Sequence, residues 1–282
     1  MLRTRSICIA TTAVVGLAAL SGCSAAAKAT GQAAQSAKSG LGSVADALAL
    51  ASTKTSAYDS VKMSMHVTVG TQGSVTMDGS VGWKPVAMDM TVSSASLASL
   101  GGGTMRMMMT GQTMYMGSPG VAAFKGKHWM KLDLSSLGTS GQQISQMLNQ
   151  SGSESPSVQL KLLTSAEGVK RVGQETVDGV PTTHYAGTVD VKALYTAMAA
   201  QDPAFKSLVT TAEQQGMTTE NVNLWVSAQS LPVRVTTTGV TSSGTVSASV
   251  DYSDYSTSPV AITAPPASDT LDYSQLLAGA NG

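Results

Sequence analysis

Cysteine is nearly missing from this chain: Cys8 and Cys23 are the only two in 282 residues. So few thiols exclude a disulfide framework and a cysteine-built metal site. Aromatic residues make up 4%, with two Phe, which excludes a strongly aromatic-lined pocket. Charge is sparse at 12%, and Lys and Arg (17) balance Asp and Glu (17). With only Arg3, Arg5, Arg106, Arg171 and Arg234 as arginines, the chain lacks the basic footprint that nucleic acid requires, and no such partner is expected. It has no G-x-S-x-G elbow, no Walker loop and no G-x-G-x-x-G after a strand, and Gly101 to Gly103 lacks the lysine or helix start of a phosphate loop. The three histidines, His66, His128 and His184, stand far apart, without a second ligand at metal-binding spacing. Nothing here reads as an enzyme, and no cofactor is expected.

What is present starts at the amino terminus. Arg3 and Arg5 precede an uncharged run from Ile7 to Leu20, and Leu20-Ser21-Gly22-Cys23 follows. A basic start, an apolar core and small residues before a cleavage point are the parts of an export signal. The four residues resemble a bacterial lipobox, in which Cys23 takes a diacylglyceryl group and cleavage falls before it. The competing readings are a short membrane anchor and an ordinary signal with an incidental cysteine; the run is shorter than the ~20 residues a spanning helix needs. On the lipobox reading the protein sits on the outer leaflet of the cell membrane, anchored by lipid and facing the extracytoplasmic side. Losing Arg3 and Arg5 leaves 15 basic against 17 acidic side chains.

Four regions follow: a signal peptide at 1–22, a flexible tether at 23–42 rich in Ala, Ser, Gln and Gly, one domain at 43–265, and a tail at 266–282. Ser43 is placed to cap a helix whose stripe is Val44, Leu48, Ala51, Thr55 and Tyr58. From Val61 the period changes to two, and apolar and polar residues alternate through Val61–Val69, Val75–Val81, Val86–Val92, Met105–Met109, Met114–Met116 and His128–Leu134. Further strands are expected at Val158–Leu162, Val172–Val177, Thr182–Val189, Val222–Ala228, Leu231–Thr237 and Thr245–Tyr252, with a tight Asp178-Gly179 turn. Helices are expected at Gln142–Gln150, after Asp190, and after Asp202; Asp269–Leu277 offers one or two helical turns. The first six strands read as an antiparallel meander.

Gly173-Gln-Glu-Thr-Val-Asp-Gly-Val-Pro-Thr-Thr-His-Tyr-Ala-Gly187 resembles the LppX/LprG family of actinobacterial lipoproteins. Leu224-Trp225-Val226, Leu231-Pro232-Val233-Arg234 and Tyr252-Ser253-Asp254-Tyr255 agree with it. The resemblance implies an α+β fold: a strongly curved antiparallel half-barrel with helices packed on the concave face and an apolar cavity between the layers. It also implies an acylated lipid or glycolipid as ligand, carried or presented in the cell envelope, with a membrane transporter as a possible partner. The wider fold includes envelope sensors, so a sensor or scaffold acting on a membrane protein by contact is the competing function.

Methionine is the unusual abundance. Twelve of the sixteen lie between Met63 and Met130, mostly on the apolar side of successive strands where Val or Ile is commoner. Core filling, a deformable lining for acyl chains, and Cu(I) binding by thioethers are the three readings. Copper fits least, because methionines at alternate strand positions point into a sheet face and do not form the short Met-x-x-Met clusters expected on a mobile loop. The expected cavity residues are Leu48, Met63, Met65, Met77, Met88, Met90, Met107, Met109, Leu132, Leu148 and Leu208, and Cys23 is the expected lipidation site. Glu175 and Asp178 flank a turn and are expected to set its geometry.

Overall fold

A computed structural model describes residues 43–99, 102–118, 121, 124–138, 141, 156, 160, 168–193, 196, 210 and 213–273. The helix predicted at Gln142–Gln150, most of the one after Asp202, the signal and the tether lie outside them.

The first helix, α1, spans Val44–Thr55. Ser43 caps it through a reciprocal pair: its hydroxyl accepts from the Asp46 backbone N–H at 3.1 Å, and the Asp46 carboxylate accepts from the Ser43 N–H at 2.9 Å. Leu48, Ala51 and Thr55 are buried on one stripe, as their spacing predicts.

Strands then follow as β1 (Ser60–Val69), β2 (Gly73–Trp83), β3 (Val86–Ser94), β4 (Thr104–Thr110), β5 (Thr113–Gly117) and β6 (Trp129–Asp133). A short helix, α2 (Ala95–Ser99), joins β3 to β4. The second run contains β7 (Lys170–Val177), β8 (Val180–Asp190), β9 (Thr219–Ser227), β10 (Pro232–Thr241), β11 (Gly244–Ser256) and β12 (Thr270–Asp272). All twelve form one sheet in the order β12-β6-β5-β4-β3-β2-β1-β11-β10-β9-β8-β7. Neighbours are antiparallel except β12, which runs parallel to β6. The order leaves β12 and β7 at opposite edges, so among the described residues the sheet does not close; it is a strongly curved half-barrel.

Local chemistry explains the turns. Asp178 and Gly179 both have positive φ, 49° and 81°, as a two-residue hairpin that follows the strand twist requires. Gly79 sits inside β2 where a Cβ would stand 2.0 Å from the Asp89 carbonyl oxygen, so the β2 and β3 backbones press together and only glycine fits. Asp190 caps the chain beyond β8, its carboxylate accepting from the Ala193 N–H at 2.7 Å.

Two expectations are corrected. Leu160, placed in a strand by the alternation of Val158, Leu160 and Leu162, is helical, as is Pro156 four residues earlier. Three alternating apolar residues are too few to separate a buried strand from a helix. The helical turns expected at Asp269–Leu277 start later than Asp269: Ala267–Asp269 is a 3-10 turn, Thr270–Asp272 is β12, and Tyr273 is helical.

Candidate functional site: the methionine face

Antiparallel partners share a face, so register decides what each side of the sheet carries. One row runs Tyr185, Leu224, Val235, Val250, Met65, Met77, Val92 and Met105 across β8, β9, β10, β11, β1, β2, β3 and β4. Beside it, Tyr252, Met63, Gly79, Met90, Met107, Met116, Met130 and Leu271 form a second row from β11 to β12. A third joins Val61, Val81, Met88, Met109, Met114 and Leu132. The expected residues Met63, Met65, Met77, Met88, Met90, Met107, Met109 and Leu132 therefore lie together on one face.

Leu48 lies over the other half of that face. It is fully buried in α1 with Ala51, Leu160, Tyr185, Val189, Val222, Leu224 and Val226. Because Tyr185 and Leu224 belong to the same row as Met65 and Met77, α1 and the methionines share the concave side. Leu148, Leu208 and Cys23 lie outside the described residues.

Met105, Met114, Met116 and Met130 complete the rows and were missing from the expected set. Hairpin parity was the signal: with Gly111-Gln112 as a two-residue turn, Met109 must face Met114 and Met107 must face Met116. Met108 is the exception to the cluster, pairing with Tyr115 on the opposite face. Burial divides the set. Met90, Met109 and Met114 are buried, whereas Met63, Met65, Met77, Met88, Met105, Met107, Met116 and Met130 keep part of their surface open.

The convex side is polar. Arg106 donates to Asp89 through Nε at 2.8 Å and Nη2 at 2.6 Å, a fork-shaped pair that raises the guanidinium pKa through the hydrogen bond to Asp89. Arg234 bridges Asp251 and Asp178, the latter at 2.9 Å. An open hollow of about 520 Å³ lies on this side, lined by Lys62, Asp78, Asp89, Thr91, Arg106 and Asp254 among others. Its charged walls are a poor lining for hydrocarbon.

Glu175 does more than shape its turn. Its carboxylate accepts from Trp225 Nε1 at 2.8 Å and lies 2.8 Å from His184 Nδ1, and both bonds hold its pKa below the usual carboxylate range, Trp225 most. His184 stacks on Trp225 with ring centroids 4.3 Å apart, and its Nε2 meets Asn223 at 3.1 Å. Asp178 reaches across to Arg234. His128 pairs with Asp269 at 2.9 Å, linking β6 to the segment before β12. Among the described residues no group of three or more His, Cys, Asp or Glu is placed to hold a metal ion.

The chain is 33% identical over 241 residues to an uncharacterised 31.2 kDa protein from the rplA–rplJ intergenic region of Streptomyces griseus, covering 79% of this chain and 77% of the relative. The chain belongs to that protein's family. A predicted lipoprotein of Streptomyces coelicolor is 28% identical over 249 residues, 84% of this chain and 78% of the relative. No family model matches. Among solved structures, lipoprotein LppX of Mycobacterium tuberculosis is similar with a TM-score of 0.46 at 16% identity, over 78% of this chain and all of that one. LprF of Mycobacterium bovis gives 0.47 at 16% identity, over 78% and 96%. Both structures are of actinobacterial lipoproteins, the kind of protein that the motifs at 173–187 resemble.

Proposed function

We propose that this family member is a lipoprotein, acylated at Cys23 and held on the outer leaflet of the cell membrane, which binds an acylated lipid against its methionine face and carries or presents it in the envelope. The observation that carries the reading is the register: methionines from six neighbouring strands fall on the concave side, the side α1 covers farther along the sheet, and most keep part of their surface open. An unbranched thioether adapts to chains of varying shape where Val or Ile would fix one contour. The energetics need no catalytic group. Each methylene taken from water is worth about 0.8 kcal/mol, so a long acyl chain crossing an aqueous gap faces a barrier on the order of 10 kcal/mol that an apolar hollow removes. The anchor keeps the carrier beside its source, and a membrane transporter is a natural partner for the exchange.

A lipid with a photoreactive group in its acyl chain tests the reading. Labelling is expected on Met65, Met77, Met88, Met107 and their neighbours. Labelling confined to convex residues such as Asp78 and Thr91, or none above a denatured control, overturns it. Anchoring is tested separately: Cys23→Ser is expected to leave the domain folded and to move it out of the membrane fraction or strand the precursor. Unchanged membrane retention of a processed Ser variant contradicts acylation at Cys23.

A further inference from the structure

Trp83 ends β2 and pairs with Val86 across the turn into β3. Strand alternation puts it on the same face as Val81, whose partners are Val61 and Met88. It packs against the cluster of Val61, Val250 and Tyr252, together with Met63, Met65, Val235 and Tyr255. Trp83 is therefore at the Lys84 end of the methionine face. Its indole Nε1 is fully buried and has no hydrogen-bond partner among the described residues.

That orphan is out of keeping with the other described residues. Tyr255, in the same cluster, donates its hydroxyl to the Pro232 carbonyl at 3.0 Å, and Trp225, on the convex side, donates to Glu175 at 2.8 Å. A buried donor left unsatisfied costs about 1–3 kcal/mol, and a buried Trp N–H ordinarily finds an acceptor. Phe is a smaller aromatic with no N–H to leave unsatisfied, yet the chain places Trp here.

We propose that Trp83 Nε1–H is the polar fixing point of the ligand site, donating to the carbonyl oxygen of an ester-linked acyl chain whose hydrocarbon lies along the methionine rows. The inference rests on the lipid-binding reading and adds a chemical class to it: acyl esters rather than ethers or free hydrocarbon. An ester is the one polar group that every acylated glycerolipid or acylated sugar carries beside its chain. A single neutral donor suits its carbonyl, whereas a free carboxylate draws a cation, and Met63, Met65, Val61, Val235, Val250 and Tyr252 supply none. The donor gives register along an otherwise featureless apolar face. It sets how deep the chain enters and leaves the headgroup toward the Lys84 end.

The test compares 1,2-dioleoylglycerol with its diether analogue, which has the same chains and no carbonyl, on the delipidated protein and on Trp83→Phe. The wild type is expected to bind the ester about ten-fold tighter, the size of one buried hydrogen bond. Trp83→Phe is expected to bind both within two-fold of each other, with ether affinity unchanged. The indole Nε1–H resonance of Trp83 is expected to move on adding the ester and to stay in place with the ether, a readout that does not depend on the variant's folding. Equal binding of both lipids by the wild type, an ester preference that survives in Trp83→Phe, or a resonance indifferent to the carbonyl overturns the assignment while leaving the lipid reading intact. Binding of neither lipid removes the lipid reading and this assignment with it.

Discussion

The concave face is one continuous surface built in two ways. Over β8 and β9 its residues are Tyr185, Val189, Val222, Leu224 and Val226, shut against Leu48 and Ala51 of α1, with Leu48 and Ala51 fully buried and Leu224 at 1% exposure. Over β1 to β6 the same rows continue in methionine, and most of those side chains remain partly open. Branched and aromatic side chains with few rotamers make a fixed contour that holds a helix. Flexible thioethers make a surface that can accept a guest. The proposed function thus places the fold's stability and its binding capacity in different halves of one sheet.

Leu48→Ala should expose that division most strongly. It removes a fully buried side chain from the closed half and is expected to destabilise the domain by about 2–5 kcal/mol, whereas Met77→Ala in the open half should cost no more than about 1.5 kcal/mol. Urea unfolding of the two variants measures this, and equal losses would mean both halves are packed alike.

Gly79→Ala comes next. Its methyl would press on the Asp89 carbonyl, and a loss of about 1–3 kcal/mol is expected with a disturbed β2–β3 pairing in amide exchange. Wild-type protection across Ser80 and Asp89 would refute the close approach.

Glu220 sharpens the contrast from the closed side. It lies two residues before Val222 on the same face at 7% exposure, and desolvation raises its pKa despite a hydrogen bond to Thr237. A raised carboxyl pKa means the folded state keeps a proton that the unfolded chain releases. Stability therefore falls as pH rises from the ordinary carboxylate range through the folded-state pKa. Glu220→Gln is expected to gain about 1 kcal/mol at pH 7.5 and to lose that gain at pH 4. A pH-independent difference in melting temperature would show that the carboxyl is ionised in the fold.

Asp89→Asn has the smallest expected effect. The Arg106 pair is partly solvated on the convex side, so no more than about 1 kcal/mol should be lost in thermal melts, with lipid uptake unchanged. A drop in lipid uptake would show that the two faces are coupled.

Much of this was legible in the chain. Period-two alternation located the strands of both runs, because a sheet with one solvated face must alternate. Ser43 and the stripe Val44, Leu48, Ala51 and Thr55 announced α1, and Asp178-Gly179 announced its hairpin. What the alternation could not say was which half of the apolar face the helix would cover, since that depends on pairings such as Met65 with Val250, nearly two hundred residues apart. Leu160 misled because its neighbours alternate over too short a run. Trp83 carried no local signal, for an unpartnered N–H is a property of the packed surroundings. The ties of Glu175 to His184 and Trp225 were hidden in the same way, being made across three strands.

Native mass spectrometry of the protein purified from its own cells tests the central claim most directly. The account predicts one acylated lipid per chain, retained in Asp89→Asn and lost when Met90 and Met107 are both changed to Asp in a folded variant. A wild-type chain that carries no acyl species and takes up no fluorescent lipid would contradict it, leaving the methionine rows as core and nothing more.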